Sequence, residues 1–286
     1  MTGNFAAAFD NFLFTYQSLL FALGVNGLLA LAMYVVLAIG QLSLGQAAFM
    51  GIGAYTSALL TLKGGVPFPL AILAAMAAPA LVALIIGVPT LRLSGVYLAL
   101  ATIGLGEVLR LIYLNTDFAG GALGLSGIPE LGGFALIYGA LAVVLIAMTL
   151  VMRSCIGRAM EAIREDEAAA GIIGVKLPAY KLSVLVVSAI ISGLAGALSA
   201  HVTSFIGPNE YGFDAAVTIL SFALLGGIGS PIGPVVGALI LTALPEVLRP
   251  LHDYRLVVNG LIIVVAVLFM PRGLVIWRPR RIGAQT

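Results

Sequence analysis

The sequence predicts an all-α membrane protein, a polytopic helix bundle of about eight to ten transmembrane segments in which glycine interrupts some helices. Of its 286 residues, 61% are hydrophobic and only 9% are charged, whereas a soluble domain carries roughly 25% charged residues. Apolar runs of about 20 residues, the length that crosses a hydrocarbon core, recur along the whole chain. Runs such as Leu81–Val88 do not alternate polar and apolar positions, which argues against a transmembrane β-barrel.

The apolar runs define the individual spans. The span over 214–228 is short for a full crossing, and the one over 43–62 begins with polar residues, so either is a candidate for a broken or re-entrant helix. Before the first span, residues 1–16 are predicted to hold an interfacial helix, because phenylalanines recur there at three- and four-residue steps. The predicted spans are 17–39, 43–62, 68–88, 95–115, 134–152, 180–204, 214–228, 232–250 and 255–271.

Lysine and arginine concentrate in two regions, the loop 153–178 and the tail 272–286. Positive charge marks the cytoplasmic loops of membrane proteins. Four predicted crossings separate the two regions, so both fit on the cytoplasmic side, together with the short turn that holds Arg92. The loops expected on the outer side are 63–67, 116–133, 205–213 and 251–254.

The main cytoplasmic loop carries an unusual density of charge, with eight charged residues in the 25 positions from Gly157 to Lys181. Alanine, glutamate, arginine and methionine dominate its interior and favour a helix. Charged residues recur three and four positions apart and form one face, while apolar residues form a stripe on another side. The charged face comprises Arg158, Glu161, Arg164 and Glu165, and the stripe comprises Met160, Ile163 and Ala170.

This short amphipathic helix is expected to be weakened by Gly171 and Gly174 and ended by Pro178. A solvated connector and a docking surface for a cytoplasmic partner are both consistent with the charge. The length of the loop favours docking, because a turn between two spans needs only a few residues.

Many of the 35 glycines lie in two interrupted apolar segments, 40–55 and 224–238. Close helix packing through small residues explains glycine in membrane helices. A second interpretation is that these segments unwind at membrane depth beside a wet cavity, since paired interruptions in two halves of a chain mark a transport path. The candidate path residues are Gln41, Ser43, Gln46, Gly226, Gly227 and Ser230.

The tetrapeptide Glu-Val-Leu-Arg occurs twice, pairing Glu107 with Arg110 and Glu246 with Arg249 three residues apart. Charged residues inside spans are costly and indicate function by default. Both pairs lie toward predicted outer ends, where side chains reach water. An inert ion pair and an external gate or docking point for a binding protein are therefore both consistent with the sequence.

Catalytic and nucleotide-binding motifs are absent from the sequence. Neither His201 nor His252 has a cysteine or histidine at metal-ligand spacing. No lysine is preceded by glycine and followed by serine or threonine, as a P-loop requires. Basic residues do not interleave with aromatics, so no nucleic-acid partner is expected. We therefore predict that the chain is not an enzyme and that any ATP is bound by another subunit.

The run "GRAMEAIREDEAAAGIIGV" resembles the cytoplasmic loop of permease subunits of ABC importers, most closely the LivM-like type of the branched-chain amino acid importers. Further stretches resemble that family in its order, and the resemblance spans residues 41–275. These are "LSLGQAAFMGIGAYTSALL", "LRLSGVYLALATIGLGEVLR", "GLSGIP", "LLGGIGSPIGPVVGA" and "RGLV".

The resemblance implies that residues 1–286 form one transmembrane domain whose loop 153–178 is a coupling helix seated in an ATPase subunit. It implies that Arg158, Glu161, Arg164, Glu165, Asp166 and Glu167 lie in or beside that helix, with Gly174 at its exit. The glycine falls one position later than in the general importer pattern, so contacts known from other importers are not transferred.

The partners implied are a second, related permease subunit, two ATP-binding cassette subunits that hold ATP and magnesium, and a soluble solute-binding protein. No cofactor is expected in this chain itself. The implied function is import of branched-chain or related hydrophobic amino acids across a bacterial cytoplasmic (inner) membrane. Alternatives are the same importer class carrying urea, short amides, other amino acids or aromatic acids, an ion-coupled secondary transporter, and a membrane scaffold without transport.

Overall fold

The computed structural model describes residues 16–90, 92–93, 95–247, 260 and 274. Eight of the nine predicted spans coincide with helices, while the span 255–271, most of the segment 1–16 and most of the tail 272–286 lie outside the described residues. The helices are α1 (Gln17–Leu37), α2 (Gln46–Leu62), α3 (Phe68–Thr90), α4 (Val96–Asn115), α5 (Phe134–Arg153), α6 (Cys155–Glu165), α7 (Glu167–Ile172), α8 (Leu177–Thr203), α9 (Phe213–Gly226) and α10 (Ile232–Val247).

Helices α1, α3, α4, α5 and α8 are long and apolar enough to cross a membrane. Helices α2 and α9 are shorter, with 17 and 14 residues, and α10 is described over 16 residues up to Val247, the last described residue before a gap. A crossing takes about 20 residues, with a range of about 17–25, so α9 is the described helix that falls clearly below this length. The all-α polytopic fold predicted from composition is confirmed.

Helix α1 forms the centre of the bundle. Every residue from Leu28 to Val36 is at most 2% exposed, and α5, α8, α9 and α10 pack around it. A helix that is apolar on all sides is buried on all sides, which accounts for its position. By contrast α3, α4 and α5 expose large apolar side chains such as Leu73, Ile85, Tyr97 and Val143, as expected of a lipid-facing surface.

Glycines let α2, α3 and α8 approach until their backbones touch. A Cβ atom added to Gly53 would lie 2.3 Å from the carbonyl oxygen of Gly193. One added to Gly193 would lie 2.3 Å from the oxygen of Ala75, and one added to Gly196 would lie 2.0 Å from that of Met50. Close packing through small residues, the first interpretation of the glycines, therefore holds for this part of the bundle.

The loops predicted to share the outer side lie together. Strand β1 (Leu125–Ser126) pairs antiparallel with strand β2 (Phe205–Ile206), which joins the loops 116–133 and 205–213. Lys63 donates a hydrogen bond to the carbonyl oxygen of Phe118 at 2.7 Å and lies over its ring. The loop 63–67 is thereby fixed to the same face, whereas 251–254 lies outside the described residues.

Candidate functional site

The loop 153–178 forms two helices, α6 and α7, where the sequence predicts one. Ser154 caps α6 by accepting a hydrogen bond from the backbone N–H of Ile156 at 3.1 Å. Asp166 breaks the helix in an extended conformation and caps α7, accepting from the N–H groups of Ala168 and Ala169 at 2.9 and 3.0 Å. A side chain that satisfies two free N–H groups is a strong helix start, so the break has a local cause.

The prediction that Pro178 ends the helix is wrong. Helix α7 already ends at Ile172, and Gly174 follows with a φ of +93°. Pro178 instead lies in the first turn of α8, where a missing N–H costs nothing because that group has no helical partner.

The apolar stripe predicted for this loop is confirmed. Met160, Ile163 and Ala170 are 2%, 3% and 2% exposed and belong to the main core of the bundle. Gly157 lies against the backbone of Met152, where an added Cβ would meet the carbonyl oxygen at 2.3 Å. Helices α6 and α7 are therefore packed on the bundle through their apolar side.

Arg164 connects α6 to the inner end of α1. Its aliphatic part packs on Gly40, whose added Cβ would lie 3.4 Å from Arg164 Cγ. Its guanidinium lies 3.8 Å from Glu161 and 3.7 Å from Glu165. These distances are long and the glutamates are exposed, so the pairs contribute little stability. Packing onto Gly40 is the stronger contact.

Glu167 pairs with Lys181 at the start of α8. The lysine side chain is 9% exposed and the glutamate side chain 49%. Because an ammonium group this buried is costly without a partner, the pair ties α7 to α8. The carboxylate of Glu167 therefore stabilises the packing of α7 on α8, independently of any role in coupling.

The remaining surface of α6 and α7 faces away from the bundle. The side chains of Glu161 and Glu165 are 60% and 74% exposed, and Arg158 is exposed with its guanidinium 3.0 Å from Cys155 Sγ. The sequence patterns did not single out Ile172 and Ile173, which are 87% and 75% exposed. The signal that could have identified them in the sequence is a pair of adjacent isoleucines that lies between two glycines and outside any predicted span.

The first interruption, between α1 and α2, is an extended polar segment. Gly40 ends α1 with a φ of +75°, and residues 41–45 have no regular structure. The N–H of Leu44 donates to the hydroxyl of Thr102 on α4 at 2.9 Å, and Ser43 accepts from the N–H of Gly45 at 3.4 Å. The N–H groups of Leu44 and Gly45 are thus satisfied by side-chain hydroxyls, which is how unwound backbone is tolerated at membrane depth.

Gln46 continues this network into the core. Its amide donates to the hydroxyl of Ser188 at 3.3 Å, and Ser188 donates to the carbonyl oxygen of Ala32 at 2.8 Å. Gln46 is 1% exposed and Ser43 fully buried, while Gln41 is half-buried. These predicted path residues lie at a buried joint of α1, α2, α4 and α8.

The second interruption, between α9 and α10, is a tight glycine turn. An added Cβ at Gly226 would lie 1.9 Å from the oxygen of Gly233, and Gly227 has a φ of +89°. Ser230 is 3% exposed, and its hydroxyl has no hydrogen-bond partner in the described chain. Leu274, from the "RGLV" motif, donates its N–H to the oxygen of Leu225 at 3.0 Å.

The structure does not join the two interruptions by hydrogen bonds within the described residues. Close packing accounts for Gly226, and turn geometry accounts for Gly227. Whether either segment borders the transport path remains a prediction.

The pair Glu107–Arg110 forms at 2.8 Å. Arg110 also donates to the side-chain oxygen of Asn209 at 3.1 Å, and Glu107 accepts from the N–H of Phe213 at 3.3 Å. The pair therefore links α4 to the start of α9 through hydrogen bonds. In the second pair, Glu246 is half-buried near the end of α10, and Arg249 lies outside the described residues.

Within the described residues, no three acidic, histidine or cysteine side chains are arranged to hold a metal ion. His201 is fully buried, with Nδ1 2.9 Å from the carbonyl oxygen of Pro129. It fixes an outer loop to the end of α8.

Comparison with known proteins gives the family. A family model described as "Branched-chain amino acid transport system / permease component" matches residues 15–267. The high-affinity branched-chain amino acid transport system permease protein LivM of Escherichia coli K12 is 33% identical over 86% of this chain and 67% of its own length.

Two further similar proteins match smaller parts. The permease protein LivH of the same Escherichia coli system is 32% identical over 46% of this chain and 43% of its own length. The ribose import permease protein RbsC of Bacillus subtilis is 34% identical over 43% of this chain and 41% of its own. No solved structure shows significant similarity. The LivM-like resemblance of the loop and glycine motifs is confirmed, and the chain is a multi-pass membrane protein of the branched-chain amino acid transport permease family.

Proposed function

We propose that this chain is the permease subunit of an ATP-driven, binding-protein-dependent importer in a bacterial cytoplasmic membrane, carrying branched-chain or related hydrophobic amino acids. The observation that supports it most directly is the geometry of α6 and α7. Their apolar side is built into the bundle core, while Glu161, Glu165 and Ile172 are exposed. A helix that is fixed on one side and offers a mixed charged and apolar surface on the other fits the socket of a soluble subunit.

The proposed partners are a related permease subunit, two ATP-binding cassette subunits and a soluble solute-binding protein. Similarity to both LivM and LivH, permease proteins of one named system, supports pairing with a related permease. ATP and magnesium bind to the cassette subunits in this proposal, and the permease itself needs no cofactor.

Closure of the ATPase dimer moves α6 and α7, and this movement reaches the bundle by two contacts. Arg164 on Gly40 acts on the inner end of α1, and Glu167 with Lys181 acts on the start of α8. Coupling requires that the ATPase socket bind the two conformations of the bundle with different free energy.

The nearest alternative keeps this mechanism and changes the cargo to urea, short amides, other amino acids or aromatic acids. Similarity to a ribose permease shows that permeases with a different named cargo share part of this sequence. An ion-coupled secondary transporter is less well supported, because Glu107 and Arg110 satisfy each other and do not offer an isolated carboxylate.

The docking proposal is tested by reversing exposed charges. We expect the variant Glu161→Lys/Glu165→Lys to lose co-purification with the cassette subunits, because both side chains point away from the bundle. The matched control is Asp117→Lys/Glu210→Lys, two exposed carboxylates of the outer loops. Equal recovery of the cassette subunits with both double variants would contradict docking at α6.

The exposed isoleucines give a second, independent measurement. Replacing Ile172 and Ile173 with serine is expected to weaken ATPase binding by at least about a hundredfold, since each buried apolar side chain contributes roughly 1.5–3 kcal/mol and the variant removes two. The thermal midpoint of the free permease is expected to stay unchanged, because these side chains contact little in it. Unchanged affinity would show that the surface beyond α7 is not part of the interface.

A further inference from the structure

A cavity of about 510 Å³ opens between the outer half of α1, the outer end of α8 and the loop before α5. Its volume lies within the range of roughly 300–1,000 Å³ that is typical of small-molecule sites. Its described lining includes none of the residues assigned above to coupling, to the candidate path or to the ion pairs.

The inner part of the cavity is apolar. Phe21, Val25 and Met50 line it. Phe21 stacks on Phe134 with ring centroids 4.2 Å apart, so this wall is held in place by a second helix. Such a surface accepts a small aliphatic side chain.

The mouth of the cavity is polar. Gln17, Ser18 and Ser199 line it, and their side chains make no hydrogen bond within the described part of the chain. Their amide and hydroxyl groups are therefore available to a ligand. Donors of this kind are able to bind a carboxylate without an arginine or lysine.

Glu130 is the one ionisable side chain among the described lining residues. Its loop is held on both sides of the glutamate: His201 Nδ1 lies 2.9 Å from the oxygen of Pro129, and the N–H of Gly132 donates to the oxygen of His201 at 3.5 Å. Glu130 itself is exposed, so its carboxylate is accessible to a protonated amine and can bind it by a charge-assisted hydrogen bond.

We propose that this cavity is an outward-facing binding site for a small amphipathic solute with a protonated amine, with leucine as its model. Glu130 binds the ammonium group, Gln17 and Ser18 bind the carboxylate, and the apolar wall holds the side chain. The proposal deepens and rests on the proposed function, because it names where the cargo enters the permease.

The cavity leads toward the first helix interruption. Asn26, at its inner end, lies nine residues after Gln17 on α1, or about 13 Å deeper at 1.5 Å per residue. Met50 lies four residues from Gln46, one turn along α2. A bound solute therefore lies one helical turn from the network of Gln46 and Ser188.

Cysteine labelling tests whether solute occupies the cavity. In the assembled transporter in lipid nanodiscs, Ser199→Cys is introduced with Cys155→Ser, which removes the chain's own cysteine. We expect a membrane-impermeant thiol reagent to label this variant, and leucine at about ten times its dissociation constant to slow labelling about tenfold. The control Asn209→Cys is exposed outside the cavity and should be labelled at one rate with and without leucine.

Binding measurements test the role of Glu130. Glu130→Gln is expected to weaken leucine binding to the permease about tenfold, through loss of one charge-assisted hydrogen bond. Isopentylamine, which keeps the amine, is expected to compete with leucine, and 4-methylpentanoate, which keeps the carboxylate, is not. The control Glu210→Gln removes an outer carboxylate away from the cavity and should bind leucine normally.

The outcomes separate this proposal from the proposed function. Suppose that the assembly takes up leucine with ATP, but leucine does not slow the labelling of Ser199→Cys or Glu130→Gln binds leucine normally. Either result overturns the cavity proposal and leaves the proposed function unaffected. Labelling that occurs in detergent and is blocked in nanodiscs without leucine assigns the cavity to lipid and also overturns it. If the assembly does not take up leucine, but another amine-bearing solute slows the labelling of Ser199→Cys, leucine is the wrong cargo and the proposal of a binding site in this cavity is supported.

Discussion

The two interrupted segments look alike in sequence and differ in structure. The segment between α1 and α2 is irregular, and hydrogen bonds to Thr102 and, from Gln46, to Ser188 join it to other helices. In the turn between α9 and α10, Gly226 meets the backbone of Gly233 directly, and the N–H of Gly233 donates to the oxygen of Ser230. One interruption is held by side-chain hydrogen bonds to other helices and the other by contacts and hydrogen bonds between backbones.

The difference shows that glycine density does not by itself distinguish a functional break from close packing. A backbone contact tolerates no added atom, whereas a hydrogen-bonded joint can exchange partners during a conformational change. We therefore expect substitutions in the α9–α10 turn to affect folding and substitutions at the α1–α2 joint to affect transport.

The largest effect is expected for Gly226→Ala. The added methyl would lie 1.9 Å from a carbonyl oxygen of α10, and since backbone atoms cannot easily move aside, the free energy of unfolding should fall by about 3 kcal/mol, the upper end of the usual cost of overpacking. Gly104→Ala is the matched control, because nothing lies within 4 Å of its added methyl. Thermal denaturation of the purified variants measures both, and equal midpoints would remove the packing explanation.

A smaller effect on stability, with a larger one on transport, is expected for Ser188→Ala. It removes the acceptor for Gln46 and the donor to Ala32, which costs about 1–2 kcal/mol because the buried amide loses its partner. If the joint rearranges during transport, leucine uptake falls more than the folded fraction does. If leucine uptake and the folded fraction fell in strict proportion, the joint would have only a structural role, like the α9–α10 turn.

The smallest effect is expected for Thr102→Val, which keeps the shape of the side chain and removes the acceptor for the N–H of Leu44. The cost is about 1 kcal/mol, because the segment 41–45 can take up water or another partner. Faster amide exchange at Leu44, with unchanged exchange at Gly226, would localise the effect to the first interruption. Uniform exchange changes would show that the two interruptions are coupled.

Much of the helical fold was predictable, because span length and apolarity are properties of local sequence. The stripe of Met160, Ile163 and Ala170 was also predictable, since helical periodicity fixes which side chains share a face. The split of the loop at Asp166 was not predicted, although a capping aspartate was a readable signal. Its two hydrogen bonds to the start of α7 decided the outcome.

The tertiary partners could not be read from sequence. Lys181 is separated from Glu167 by 14 residues, and neither spacing nor composition placed them together. The cavity beside Glu130 needs the outer ends of α1 and α8 and a loop held by His201, so it exists only once the helices are packed. The ion pair of Glu107 and Arg110, by contrast, was predictable from the sequence, because the two residues lie about one helical turn apart.

Helix α8 joins the two ends of the molecule. Its 27 residues make a rod of about 40 Å, with Lys181 near the inner end and Ser199 and His201 near the outer end. Tilting such a rod by about 5° about its inner end displaces its far end by about 3 Å, the length of one hydrogen bond. In the proposed mechanism, a small tilt of α8 driven from the cytoplasm is then enough to move the side chains of the proposed solute site at the opposite face.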